Sequence, residues 1–276
     1  MIDAAIIRTL AAKEKLDPGI IEKDYVLSKA LMALSQVDGF RDALIFKGGT
    51  ALKKCYYHQW RFSEDLDFTS RAPLNPNEVK SMFEKACEVA TRQSGISLRV
   101  MEYSQYPKSG NKLTTAQLKL GYDGPLRKSS GQKNNVRVDI AFDEKIVSEP
   151  VFREILQQFP DDIKVAIPAY PLEEIVAEKL RSILQRGKSR DYYDVWILLK
   201  DYGKDFDRSL TRDIFTQKCR FKEIPDPKTE DFFKAEQLAE AERFWERGLA
   251  HQLPNLPTFT SVVDSLRESI EKLLSS

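Results

Sequence analysis

Histidine and cysteine are scarce in this chain. Its 276 residues include only two histidines, His58 and His251, and three cysteines, Cys55, Cys87 and Cys219. The cysteines are widely separated, odd in number and never in CxxC spacing. That pattern argues against a structural zinc site and for reduced thiols in a cytoplasmic compartment. With so little histidine, metal chemistry here has to use carboxylates, which favours a hard ion such as Mg²⁺. Long apolar runs are missing too: none approaches the roughly 20 residues that span a bilayer, so no membrane association is expected. The opening MIDAAIIRTLAAKEKLD is too charged for a secretory core. Nor is there a charge excess, since 43 basic side chains against 42 acidic leave +1. A nucleic-acid surface would have to arise from local segregation of charge.

What is present is an ordinary globular composition, 42% hydrophobic and 31% charged, long enough for one large domain or two modest ones. Residues 1–37 read as two helices parted by LDPG. ALIF (43–46) reads as a short buried strand ending at Gly48-Gly49, and TALKKCYYHQW as a helix starting there. DLDFTS alternates, with Leu66 and Phe68 on one face and Asp65 and Asp67 on the other. A helix follows from Asn75 to about Ser94, then strands at 96–105, 113–122 and 135–144. From Pro171 onward the pattern is helical. The fold class is therefore α+β, with a mixed-sheet half over 1–168 and an all-helical half over 169–276. The boundary falls near VAIPAYP (165–171), where two prolines interrupt the pattern.

The chemistry concentrates in FKGGTALKKCYYHQWRFSEDLDFTS (46–70). Asp65 and Asp67, at i and i+2 on a strand, point the same way roughly 7 Å apart. Carboxylates so placed repel each other unless a cation sits between them. Asp139 is a third acid, on a strand alternating apolar and polar. Three such acids can hold two Mg²⁺ ions for in-line phosphoryl transfer. Gly48 and Gly49 would let backbone N–H groups approach phosphate oxygens. Their spacing does not fit a P-loop, which needs GxxxxGK[ST]. Taken singly, an acidic pair on a strand or a glycine turn is more often plain surface structure; their order along the chain is what points to a site.

A second stretch, EKLRSILQRGKSRDYYD, carries Lys179, Arg181, Arg186, Lys188 and Arg190, with no acid between 179 and 190. Arg186, Lys188 and Arg190 around Gly187 could hold a polyanion backbone, or be a solvated basic turn at a helix C-terminus. Asp191 and Asp194 share a helix face. Asp191 competes with Ser189 to cap that helix. Tyr192, Tyr193 and Trp196 read mostly as core. Glu22, Lys23 and Asp24, charged on an otherwise apolar helix, read as a polar network beneath the site.

KGGTALKKCYYHQWRFSEDLDF resembles the signature of the AbiEii/AbiGii-type nucleotidyltransferase toxins, a branch of the DNA polymerase β-like superfamily. IEKDYVLSKAL (21–31) and EKLRSILQRGKSRDYYDVW (178–196) are similar to two further motifs of that subfamily. The resemblance spans residues 21–196. It implies a nucleotidyltransferase fold for the first half, with NTP phosphates over Gly48 and Gly49 and Mg²⁺ on Asp65, Asp67 and Asp139. It makes Lys179 a triphosphate contact and Asp194 a functional acid. The superfamily usually carries Gly-Ser at the turn; this chain has Gly-Gly-Thr, leaving Thr50 or Ser63 to supply the hydroxyl. The resemblance further implies a toxin with a separate antitoxin, and transfer of a nucleoside monophosphate to RNA, especially the tRNA 3′ end. Arg186, Lys188 and Arg190 are the expected RNA contacts. Two rivals stand beside it: transfer to a protein hydroxyl, and a catalytically silent nucleotide- or partner-binding module.

Overall fold

The computed structural model describes residues 1–71, 74–107, 113–127 and 134–275. The chain forms two compact units, Met1–Glu144 with Pro150–Ala169, and Lys145–Glu149 with Tyr170–Ser276.

The first unit opens with helices α1 (Ala4–Glu14) and α2 (Pro18–Leu34), each started by an aspartate, Asp3 or Asp17, whose side chain accepts a backbone N–H of the first turn. A short α3 (Phe40–Ala43) leads into β1 (Leu44–Lys47), α4 (Gly48–Ala51) and β2 (Asp65–Ser70). Helix α5 (Pro76–Ser94) begins in a reciprocal Asn75–Glu78 capping box and stops at Gly95. Strands β3 (Ser97–Pro107), β4 (Leu113–Asp123), β5 (Asn135–Ala141), β6 (Val151–Glu154) and β7 (Ala166–Ala169) complete the unit. The α+β class read from the sequence is what the chain adopts: a mixed sheet in the order β3-β4-β5-β2-β1-β7-β6. Its core face is apolar, with Leu66, Phe68, Leu118, Val136, Val138 and Ile140 all buried. Phe68 meets Phe40 and Phe83 edge-on. Each such side chain, fully removed from water, contributes about 1.5–3 kcal/mol.

Local structure departs from the sequence reading in three places. The helix expected to run on to Trp60 passes at Leu52 into a wide π turn ending at Tyr56. There the Tyr57 N–H donates to the Leu52 carbonyl, and Lys53 and Lys54 are both carried into the interior. The strand expected over 135–144 ends at Ala141. The proline-bearing 165–171 is not a plain connection: Ala166–Ala169 is strand β7, antiparallel to β6 and joined in parallel to β1 at Phe46 and Ala169.

The second unit is helical: α6 (Leu172–Arg186), α7 (Ser189–Asp201), α8 (Arg208–Phe221), α9 (Ala235–Arg243), α10 (Trp245–Leu249) and α11 (Phe259–Ser275). Residues 145–149 belong to it because buried Glu174 accepts the N–H groups of Val147 and Ser148 at 3.0 and 2.8 Å. Lys218 adds a bond to the Lys145 carbonyl and an ion pair with Glu174 at 2.9 Å. Phe259 packs on Tyr192 and Trp245, tying α11 to α7 and α10. Among the described residues no helix is long and apolar enough to cross a membrane.

Candidate active site

Register across the first unit's sheet builds the site. Strand β2 lies between β1 and β5, with Asp67 opposite Lys47 on one side and Asp139 on the other. Asp139 is in turn opposite Gln117 on β4, and Gln117 opposite Ser104 on β3. A polar row, Ser104–Gln117–Asp139–Asp67–Lys47, therefore crosses five strands. Two residues along, a second row reads Glu102–Lys119–Arg137–Asp65. The intervening positions, Leu66, Leu118 and Val138, are buried on the opposite face.

On this open face Arg137 sits between two of the acids. Its Nη2 is 3.1 Å from Asp65 Oδ2 and its Nε 3.2 Å from Asp139 Oδ2. Burial raises the Asp139 pKa above the ordinary carboxylate value, and Arg137 only partly offsets that. Asp139 Oδ1 is buried with no hydrogen-bond partner. Among the described residues no group of three or more His, Cys, Asp or Glu stands ready to hold an ion. The donor chemistry nonetheless suits a hard divalent ion: three carboxylates on one face, one with an oxygen that no hydrogen bond uses, beside a half-exposed guanidinium.

The glycine turn flanks β2 on the β1 side. Gly48 has φ of +80°, and a side-chain carbon there would overlap Asp67 Oδ2 and lie 3.1 Å from Asp67 Cγ. At Gly49 the same carbon would stand 3.0 Å from Arg61 Nη2 and 3.3 Å from Ser63 Oγ. The two hydroxyls considered at this turn differ in use. Thr50 is fully buried and its Oγ1 donates to the Asp65 carbonyl, bracing the acid strand. Ser63 is the one that borders Gly49. Arg61, a buried cation against the same glycine, escaped the sequence reading; the signal was its place four residues before Asp65.

Helix α2 anchors the segments that flank the acids. Lys23 pairs with Glu64 at 2.6 Å, next to Asp65. Asp24 pairs with Lys54 at 2.7 Å, both buried. Glu22 Oε1 accepts the Leu126 N–H at 2.6 Å. Each charge of the Glu-Lys-Asp run thus ties a different segment to the helix.

In the second unit, Lys179 on α6 and Asp194 on α7 form an ion pair at 2.7 Å, with Asp194 fully buried. The basic stretch is not free of acids once folded. Arg186 grips Asp191 through Nε and Nη2, both at 2.9 Å. Asp191 also accepts the Lys188 N–H and so caps α7, whereas Ser189 donates to the Ala241 carbonyl. Lys188 and Arg190 line a cavity of about 280 Å³ together with Glu240 and Phe244. Tyr192 and Tyr193 are buried in the core, as their apolar neighbours suggested.

Comparison with known proteins agrees with this architecture. The solved structure of MenT4, a nucleotidyltransferase toxin from Mycobacterium tuberculosis H37Rv, superposes with a TM-score of 0.67 at 19% identity, covering 100% of this chain and 90% of that one. That likeness is one of fold. No curated protein matches the chain in sequence. The family model described as the nucleotidyl transferase AbiEii toxin of type IV toxin–antitoxin systems matches residues 29–274. The chain belongs to the AbiEii nucleotidyltransferase toxin family.

Proposed function

We propose that this toxin moves a nucleoside monophosphate from an NTP to the 3′ end of an RNA, with tRNA as the favoured acceptor, in a Mg²⁺-dependent reaction. The observation that carries the reading is the cross-strand row that sets Asp139 beside Asp67, with Gly48 packed against Asp67. Mg²⁺ would be held by Asp65, Asp67 and Asp139, and when bound it supplies charge stabilisation at the transferring phosphoryl group. The backbone at Gly48 and Gly49 receives the triphosphate, and Ser63 and Arg61 border it. The acceptor hydroxyl oxygen attacks the α-phosphorus, the bond to the bridging oxygen breaks, and pyrophosphate leaves. Asp139, opposite Asp67 across the strands and with a buried oxygen that no hydrogen bond uses, takes the hydroxyl proton. Lys179 is the cation assigned to the phosphates by resemblance, with Asp194 holding its ammonium. Lys188 and Arg190 add an RNA-binding contribution, and Arg186 braces their turn through Asp191. The reaction belongs in the cytoplasm, where NTPs and tRNA are found, and an antitoxin partner follows from the family.

The test is incubation of the chain with each labelled NTP, Mg²⁺ and either total RNA or total protein. Label should enter RNA, and Asp67→Ala should abolish incorporation while the protein stays folded. Label in protein alone would replace this reading with a protein-modifying one. No label anywhere would leave a silent binding module.

A further inference from the structure

Beside Asp65, on the flank of β2 away from the glycine turn, the sheet carries a cavity of about 420 Å³. That is within the roughly 300–1,000 Å³ of small-ligand pockets. Ser104 and Tyr106 from β3, Gln117 and Lys119 from β4, and Asn135 and Arg137 from β5 line it, with Lys23, Glu64, Asp65 and Glu102 adding charge of both signs. We infer that this cavity receives the 3′-terminal nucleotide of the acceptor RNA; the inference rests on the RNA-transfer reading above.

Two arguments converge on it. The first is direction. In-line displacement needs the attacking hydroxyl opposite the leaving pyrophosphate. The turn that would receive the phosphates lies on the β1 side of the acids, against Asp67. The attacking group must then come from the β5 side, where the cavity opens. The second is chemistry. The lining offers two side-chain amides and a hydroxyl, which suit base edges and ribose hydroxyls. Tyr106, 49% exposed, offers a ring on which a base can stack. Lys119 pairs across the surface with the exposed Glu102 at 3.0 Å, so a backbone phosphate can compete for it. A peptide segment would not need this combination of stacking ring, amides and cation.

The test is steady-state transfer by the full chain with Mg²⁺, the NTP it uses and total tRNA. Tyr106→Ala, Lys119→Ala and Asn135→Ala should each raise KM for tRNA by about tenfold, the scale of one lost stacking or polar contact. KM for the NTP should stay within about twofold. The Lys119→Ala defect should shrink as salt rises, because screening weakens the wild-type phosphate contact. Lys164→Ala, which removes a surface cation paired with Glu154 elsewhere in the unit, should change neither KM. If KM for the NTP rises instead, the cavity holds the incoming base and the inference is wrong. If the wild type labels RNA and the folded variants keep a normal KM for tRNA, the pocket assignment fails while the RNA-transfer reading stands. If the wild type labels protein and not RNA, both fall together.

Discussion

At the scale of single residues, a test of the site is how little room it leaves. Gly48 combines a left-handed φ of +80° with direct packing on Asp67, whereas Gly39 has φ of +79° with nothing within 4 Å of its would-be side chain. The two therefore separate backbone strain from displacement of the acid. Gly39→Ala should lose about 1–2 kcal/mol of stability, the cost of forcing a side chain into that conformation, and Gly48→Ala at least as much, because its side chain also overlaps Asp67. Only Gly48→Ala should also lose transfer, by about 10²-fold, since misplacing a reacting group by an ångström costs that much. Denaturant melts paired with single-turnover assays on the two variants check this; equal activity would show that Asp67 needs no fixed position. Lys179 presents the opposite problem, because it holds a fully buried carboxylate. Taking away one member of such a pair costs about 3–5 kcal/mol, so Lys179→Ala alone confounds catalysis with folding. Lys179→Met with Asp194→Leu should recover most of that stability, yet its rate should stay down by about 10²-fold, the scale of one lost electrostatic donor. A double variant with a normal rate would take both residues out of the chemistry.

At the scale of elements, α2 shows how a helix holds neighbouring segments in place through buried charge. Lys54 lies in the π turn that follows the glycines, and its ammonium pairs with Asp24 and also donates to Gln158. Lys54→Met should destabilise the first unit by about 3–5 kcal/mol, because Asp24 is left buried without its counter-ion. Asp24→Leu combined with Lys54→Met should restore much of that loss in urea melts. A single variant as stable as the parent would mean the pair is not what fixes α2 against the turn. This element also marks the limit of what the sequence disclosed. The alternation of DLDFTS and NVRVDIA announced which acids share a face, since strand periodicity is local. The register that sets Asp139 beside Asp67 and Arg137 beside Asp65 is a long-range fact and carries no local signal. Strands β6 and β7 have four residues each, too few to show alternation, and Pro168 disguised the second as a break. The pull of Glu174 and Lys218 on residues 145–149 was equally invisible, because it depends on partners far along the chain. In the basic stretch the missing knowledge was geometric: Asp191 lay just beyond the run of cations, and the turn at Gly187 brings it back onto Arg186.

At the scale of the whole molecule, the few cysteines set how the first unit answers to pH. Cys55 and Cys87 are buried, and burial pushes both thiols up to about 12 from an ordinary value of 9.0. Above pH 9 the unfolded chain gives up protons that the folded unit keeps, so stability falls as pH rises. Each thiol removes about 1.4 kcal/mol per pH unit through that window. Lys53 works the other way: burial lowers its ammonium to about 8 from 10.5. Between those values the unfolded chain holds the extra proton, and stability rises with pH. Two thiols oppose one ammonium, so the unit should change little or gain slightly between pH 8 and 9, then weaken from about pH 9 upward. Tyr25 and Tyr122, also raised by burial, steepen the fall above pH 10. In urea melts from pH 8 to 10, Cys55→Ala with Cys87→Ala should start less stable because of the cavities left behind. The first unit's slope just above pH 9 should nevertheless turn from falling to rising, because there Lys53 outweighs the onset of Tyr25 and Tyr122 ionisation, which takes over toward pH 10. Adding Lys53→Met should flatten that rise. A decline above pH 9 that survives removal of both thiols would show that the alkaline weakening comes from other groups. The same burial predicts that thiol reagents label Cys55 and Cys87 only as fast as the unit opens, since a protonated, enclosed sulfur is a poor nucleophile.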